Sequence, residues 1–345
     1  MITFQFDGTS HGEGYRGIIC GLPQGFCVNE LLVNEQLRQR KMGYGRSERQ
    51  NFADEVQFTD KTVGAEGKIE FFVANAAVES RAEITALRSG HADVTGRARF
   101  PEKTVREIAE IASARNSVCY VVLGAICKQL LLRVGIQTYH YVEKIGGIAS
   151  RNRYRFGISD QEAHFALLHC PCRYATKLMA DKIDQARQAG NSLGGVVAVG
   201  ATGVPAGVGE LLPYSARLDA QIAANLVGIP AVKGVSFGIG SKFADMTGVD
   251  AQDKLCVTDG KICYAENKCG GIVGGISNGM DILCHLTVKP VPTVSGVMSV
   301  DAETLQPVPQ HFERADTCVV PNVGVIAENI LAYVIANQML TQKLL

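Results

Sequence analysis

The run from Arg88 to Ser117, RSGHADVTGRARFPEKTVREIAEIASARNS, constrains the fold more than any other stretch. It opens on a polar turn, Arg88-Ser89-Gly90-His91-Ala92-Asp93, and continues through the basic trio Arg97, Arg99 and Lys103. Val105, Ile108 and Ile111, then Val118, Val121 and Val122, recur at helical spacing, which predicts a helix buried along one face. Ser113, Ala114 and Arg115 interrupt that face with small and charged groups. A histidine in a glycine turn and an arginine entering a buried helix suit an anion and a proton donor. The plainer alternative makes His91 a surface turn residue and Arg115 a solvated one.

The rest of the composition narrows the function classes. A chain of 345 residues can form one large domain or two ordinary ones, and either buries a substantial core. Acidic and basic residues balance at 34 each, and no block concentrates one sign, so neither nucleic acid nor a membrane surface is an expected partner. Basic residues do cluster locally, from Arg38 to Arg49 and from Arg97 to Arg106, a pattern that fits a small anionic ligand. The 11 cysteines are odd in number and scattered through apolar runs, at Cys20, Cys119, Cys127 and Cys284 among others. They read as reduced thiols of a cytoplasmic protein. Cys170-Pro171-Cys172 is too tight for a common zinc half-site, and no metal is expected. No leader and no bilayer-spanning apolar run is expected either.

Ile2 to Phe6 alternates as a strand, and Gly12 to Gly17 then matches GxGxxG literally. A dinucleotide loop must open a helix, whereas Ile18-Ile19-Cys20 continues as a strand, so that match is rejected. A polar loop carrying His11 between two strands is the better description. Asn29 caps a helix reaching about Lys41, with Leu31, Leu32 and Leu37 expected on its buried face. Phe52 to Phe58 and Lys68 to Val73 read as a hairpin, Gly135 to Gly146 as a strand pair, and Asp160 to Gly190 as mostly helical. Strand, GxPxG turn and helix occur first at Gly17 to about Leu31 and again at Gly195 to Val227, which suggests two halves of related topology. Cys269 to Gly279 is a glycine-rich bend that bares backbone N–H groups without the Gly-Lys-Ser/Thr of a nucleotide loop. Ile282 to Val288 is a strand leading into the rigid Lys289-Pro290-Val291-Pro292-Thr293, and a long helix closes the chain at Val323 to Leu340.

These segments together resemble the chorismate synthase family. The matching stretches are SHGEGYRG, QRKMGYGR, RSGHAD, SARNS, GVPAGVGE, IPAVKGVSFGIG, GGIVGGISNG, KPVPT and RADTCVVP, in the family's order and over nearly the whole chain. The resemblance implies one α+β domain, residues 1–345, with helices layered between two antiparallel sheets in two related halves, assembling as a homotetramer. It implies loss of phosphate and the C6 proton from 5-enolpyruvylshikimate 3-phosphate in an anti-1,4-elimination that yields chorismate. Reduced FMN is the implied cofactor, lending electron density as phosphate leaves and accepting the proton afterwards. NADPH enters only indirectly as reductant, through an external flavin reductase.

Carried over residue by residue, His11 assists the leaving phosphate and His91 holds the flavin's protonation state, while Ser113 and Asp316 relay the C6 proton. Ser10, His11, Arg40, Arg46, Arg88, Arg115 and Arg314 are the implied substrate ligands. Ile111, Ala112, Ser113, Pro230, Ala231, Gly274, Lys289, Pro290, Val291, Pro292, Thr293 and Arg314 are the implied FMN site. The chain departs from the family pattern at Thr9 (usually Glu), Ala112 (Ser), Asn116-Ser117 (Glu-Thr) and Ser47-Glu48 (Gly-Arg), and residues 75–88 form an unusually short connection. Those departures leave a non-catalytic flavin- or phosphate-binding paralogue as the alternative.

Overall fold

The computed structural model describes residues 1–46, 54–75, 82–150, 168–312 and 315–345. Strands β1 (Thr3–Gly8) and β2 (Gly14–Cys20) pair antiparallel, and helix α1 (Glu30–Lys41) follows, its first turn capped by Asn29 Oδ1 accepting from Leu31 N at 3.1 Å. With β3 (Val56–Phe58) and β4 (Ile69–Ala74) these strands complete a sheet of order β1-β2-β4-β3. Three helices come next: α2 (Asp93–Arg99), α3 (Val105–Ile111) and α4 (Ser117–Leu132), the last entered through a 3-10 turn at Ala114–Asn116. Beyond them lie β5 (Gln137–Ile145), β6 (Ile148–Ala149), α5 (Arg173–Gln188), β7 (Gly195–Thr202), α6 (Leu218–Val227) and β8 (Val232–Phe237). Two small hairpins, β9 (Leu255–Thr258) with β10 (Lys261–Tyr264) and β11 (Ile272–Val273) with β12 (Ile276–Ser277), precede β13 (Ile282–Val288). A third pairs β14 (Met298–Val300) with β15 (Pro307–Pro309), and α7 (Val320–Thr341) closes the chain. The second sheet has the order β6-β5-β7-β13-β8 and is antiparallel throughout.

The helices fill the space between the sheets. Helix α4 packs on β2 of the first sheet, α7 on β5 and β7 of the second, and the two helices cross each other with α1 alongside. Both are apolar around most of their circumference, which is why they sit in the middle layer. The expected α+β sandwich is therefore observed. One helix, α7, is long and apolar enough to cross a membrane by length and composition, contrary to the expectation of no such run; 78% of its apolar window is buried within the protein. At the α4–α7 crossing, a Cβ on Gly124 would stand 2.2 Å from the Asn329 backbone oxygen. Neither backbone can yield, so Gly124→Ala is expected to lower stability by roughly 1–3 kcal/mol in urea unfolding; an unchanged midpoint would show that the helices separate freely.

The repeated strand–turn–helix is realised twice. β2 leads through Gly21 (φ 82°) and Gly25 (φ 75°) to α1, and β7 through Gly203 (φ 78°) and Gly207 (φ 101°) to α6. Both copies use glycine at both ends of the turn because a left-handed backbone is required there.

Several local expectations change. On α1 the buried apolar residues are Val33 and Leu37, whereas Leu31 and Leu32 are 79% and 47% exposed, because the cap at Asn29 turns the first helical turn outward. The helix expected through Ser113 is broken into α3, the 3-10 turn and α4, which shifts the helical phase and leaves Ile111 half exposed. Of the helical stretch 160–190, α5 is observed and 160–167 lie outside the described residues.

Candidate active site

The β1–β2 loop carries Ser10 and His11, and short polar contacts close it. Thr9 Oγ1 accepts from Gly12 N at 3.0 Å, and Asn75 Nδ2 donates to the backbone oxygens of Thr9 (2.9 Å) and Gly12 (2.7 Å). Thr9 thus serves the loop locally. His11 Nδ1 stands 3.0 Å from Ser10 Oγ and 3.3 Å from Glu110 Oε1, on the last turn of α3. A few residues on, Ser113 Oγ accepts from Arg115 N at 3.3 Å and opens the 3-10 turn. Arg115 then reaches back, its Nε donating to Asn75 Oδ1 at 3.0 Å. Asn75 therefore ties the His11 loop to the SARNS turn.

Behind that turn is a knot of buried charge. The Asp54 carboxylate accepts from Arg115 (2.6 Å), Lys41 (3.1 Å) and Arg40 (3.3 Å). Burial alone would raise the Asp54 carboxyl, but the Arg115 hydrogen bond and the three cations hold it below its ordinary value. Arg40 is 6% exposed, and its remaining N–H groups meet Ser117 Oγ at 2.9 Å and the Ala114 and Arg115 carbonyls at 3.3 Å. Burial pushes its guanidinium down to about 10, with Asp54 opposing the shift. Ser117 supplies the hydroxyl for this contact. Tyr15, on β2 beneath the knot, is pushed up to about 12 by burial, against the fields of Arg115 and Arg40 and with that of Glu110.

From the end of α1 the path continues to the C-terminal segment. Asn322 Nδ2 donates to the Arg40 and Met42 carbonyls at 2.7 Å each, and Thr317 N donates to Gly45 O at 2.7 Å. This brings Arg46 onto Asp316, N to O 2.5 Å, with both side chains under one-fifth exposed. The Arg46 Nε is buried and has no hydrogen-bond partner among the described residues. Arg314, Ser47 and Glu48 lie outside the described residues.

The second histidine is organised by Asp93. That fully buried carboxylate accepts from Arg88 Nε (2.8 Å), a terminal Arg88 N–H (2.9 Å) and Arg88 N (2.9 Å), and it lies 2.8 Å from His91 Nδ1. Burial would raise its pKa, yet the His91 and Arg88 hydrogen bonds hold it far below the usual carboxylate range. Arg88 is thereby paired inside the protein, and its anion is Asp93. The Lys289–Thr293 strap lies against this turn: Lys289 Nζ donates to Gly90 O at 2.6 Å, and a Cβ on Gly90 would come 2.6 Å from Pro292. Lys289 N also donates to the carbonyl of Ala231, a residue held at φ 74°, at 2.8 Å. Ser192 Oγ donates to Val291 O at 2.6 Å while the next residue, Leu193 N, donates to Thr317 O at 2.8 Å, joining the strap to the Asp316 segment.

The two histidine clusters are thus linked through Asn75, Arg115, Asp54, Arg40, Asp316 and the strap. Gly274 stands apart, in the β11–β12 turn beside Leu211, and no hydrogen bond among the described residues ties it to the strap. Asp54, Asn75, Asp93, Lys41 and Glu110 were not singled out from sequence. Asp93 alone had a signal, its place in Gly-His-Ala-Asp.

The match to known proteins then decides the family. The family model described as chorismate synthase matches residues 2–340. This chain belongs to the chorismate synthase family. A chorismate synthase of Geobacillus sp. (strain WCH70) is 35% identical, covering 97% of this chain and 92% of the relative. One from Carboxydothermus hydrogenoformans is 33% identical over 99% and 94%, and one from Exiguobacterium sp. 34% over 96% and 92%. A chorismate synthase crystal structure superposes with a TM-score of 0.80 at 27% identity, covering 99% of this chain and 92% of that one. The chorismate synthase architecture therefore extends across both histidine clusters and the strap.

Proposed function

We propose that this chain is a chorismate synthase, a lyase that converts 5-enolpyruvylshikimate 3-phosphate to chorismate. The single observation that carries this is the family match over residues 2–340, with both histidines retained and each set against a carboxylate. The phosphate C–O bond and the C6–H bond break on opposite faces of the ring, and a double bond forms. His11 gives the departing phosphate its proton, and a phosphate leaving from beside Arg115 and Arg46 departs into a positive field. Ser113 and Asp316 stand on the proton path from C6, with Asp316 paired to Arg46.

The strap and turn suit reduced FMN by their rigidity and close backbone approach. Lys289, the Ala231 carbonyl turn and Gly90, whose lack of Cβ lets Pro292 approach, form a rigid wall beside His91. Asn278 Nδ2, near the Gly274 turn, is a buried donor with no hydrogen-bond partner among the described residues. Bound there, reduced FMN supplies electron density to the reacting ring. The Asp93 carboxylate fixes His91 Nδ1 and so presents Nε2 outward. Reduced FMN comes from an external flavin reductase, with NADPH only as the distant reductant. A homotetramer is the proposed assembly, and the β9–β10 hairpin supports it: Leu255, Val257 and Ile262 are 63%, 72% and 78% exposed on one face. The proposed location is the cytoplasm. Anaerobic turnover with reduced FMN and 5-enolpyruvylshikimate 3-phosphate is expected to yield chorismate; FMN binding without product would establish the paralogue instead.

A further inference from the structure

We propose that Asn75 is a positioning residue: its amide clamps the backbone on both sides of Ser10-His11 and sets that pair at a fixed separation from Arg115. The proposal rests on reading His11 and Arg115 as groups that act on the substrate. Asn75 follows the last residue of β4, and its own N–H donates to Glu13 O at 2.9 Å, one step beyond the Gly14–Ala74 pair of the sheet. The side chain therefore leaves a backbone that the sheet has already fixed. Its Nδ2 donates to Thr9 O at 2.9 Å and to Gly12 O at 2.7 Å, the carbonyls that flank Ser10-His11. Its Oδ1 accepts from Arg115 Nε at 3.0 Å.

The chemistry of these partners demands an amide. A carbonyl oxygen only accepts and a guanidinium only donates, so the side chain between them must offer two N–H groups on one side and an oxygen on the other. A carboxylate of the same shape keeps Arg115 but sets an anion against the Thr9 and Gly12 carbonyls, and an apolar side chain serves neither side. Other contacts shape the loop from within. At its base a Cβ on Gly8 would stand 2.2 Å from Gly14 O, and Thr9 Oγ1 accepts from Gly12 N at 3.0 Å. Asn75 sets where that closed loop stands relative to Arg115. The arginine is anchored to the same strand end, a terminal N–H donating to Ala74 O at 3.2 Å and another to Asp54 at 2.6 Å. One end of β4 thus holds both groups that meet the leaving phosphate. A misplacement of about 1 Å between such groups lowers a rate on the order of 100-fold.

The test compares Asn75→Asp, Asn75→Ala, His11→Ala and the His11→Ala/Asn75→Asp double variant, all with reduced FMN under anaerobic conditions. Asn75→Asp keeps the shape and the Arg115 contact, and is expected to lower kcat about 100-fold with KM within about threefold. Asn75→Ala, which also releases Arg115, should lower kcat by a similar factor and raise KM about tenfold. In the His11→Ala background Asn75→Asp should cost less than about twofold further, because the group it positions is gone. Urea unfolding on the same preparations checks the fold; where Asn75→Asp shows no folded transition, the kcat cycle is run with Asn75→Ala. Loss of the folded transition in both variants overturns the proposal, since Asn75 is then required for the fold. An Asn75→Asp enzyme as fast as the unaltered chain, while His11→Ala is slow, overturns the clamp alone. A loss that multiplies in full onto that of His11→Ala makes Asn75 a general support and overturns it as well. A fully active His11→Ala removes the histidine reading and this proposal with it.

Discussion

Replacing His11 by Ala is expected to lower kcat by about two to four orders of magnitude while leaving the affinity for FMN within about twofold. The size follows from the chemistry. A phosphate leaving without its proton departs as a poorer leaving group, and neither of the nearby guanidiniums, permanently protonated, can replace an imidazole as donor. The selectivity of the effect follows from the structure. His11 sits on the β1–β2 loop, held by Ser10, Glu110 and the Asn75 bridge, whereas the strap proposed for FMN is built on His91, Gly90 and Pro292. Turnover and flavin titration on the same preparation measure both. An unchanged rate would remove His11 from the chemistry, and a joint loss of rate and flavin binding would show that the two clusters share one structural unit.

The division between legible and hidden features has a physical cause. Strand β13 was expected with the boundaries observed, since it buries alternate apolar side chains along its length. The glycine turns were legible because only glycine takes their backbone angles, and both copies of the repeat use them. His11, His91 and the arginines stood out as chemistry-bearing residues in unusual company. Their partners did not. Asp54 follows a stretch with no motif, and Asn75 ends a strand like any other polar residue. Yet the first collects three cations and the second joins two loops, because sheet pairing brings β4 beside β2 and both against the 3-10 turn. Partnership across such distances in sequence is a product of topology, which no local pattern records. The same reason explains Leu31 and Leu32, whose apolar character implied burial until the cap at Asn29 set the phase of α1.

The middle layer offers the second large effect. Glu328 on α7 is buried, and its carboxylate accepts from Lys128 on α4, from His140 on β5 and from Thr138 Oγ1 at 3.1 Å. Burial would raise its pKa, but Lys128 and His140 hold it down at about 2. Behind it, His140 Nε2 lies 2.9 Å from His169 Nδ1, and burial pushes His169 down to about 3, with the charge of His140 adding to the shift. Glu328→Ala leaves the Lys128 ammonium and the His140 ring without their shared acceptor in a mostly apolar layer, and the expected loss is about 3–5 kcal/mol, seen as a lower urea midpoint with unchanged slope at fixed protein concentration. A loss below about 1 kcal/mol would mean that Lys128 and His140 find water instead. Acid should weaken the same region. Both folded pKa values are depressed, so the stability each group contributes is present above its unfolded value and lost as pH falls toward its folded one. For His169 that window runs from about 6.5 down to about 3, and the loss is up to about 1.4 kcal/mol per pH unit; for Glu328 it runs from about 4.5 to about 2. His169 has φ 52°, a conformation Asn adopts readily, so His169→Asn should keep the fold while flattening the decline between pH 6.5 and pH 5. A variant that declines as steeply as the unaltered chain would place the acid sensitivity elsewhere.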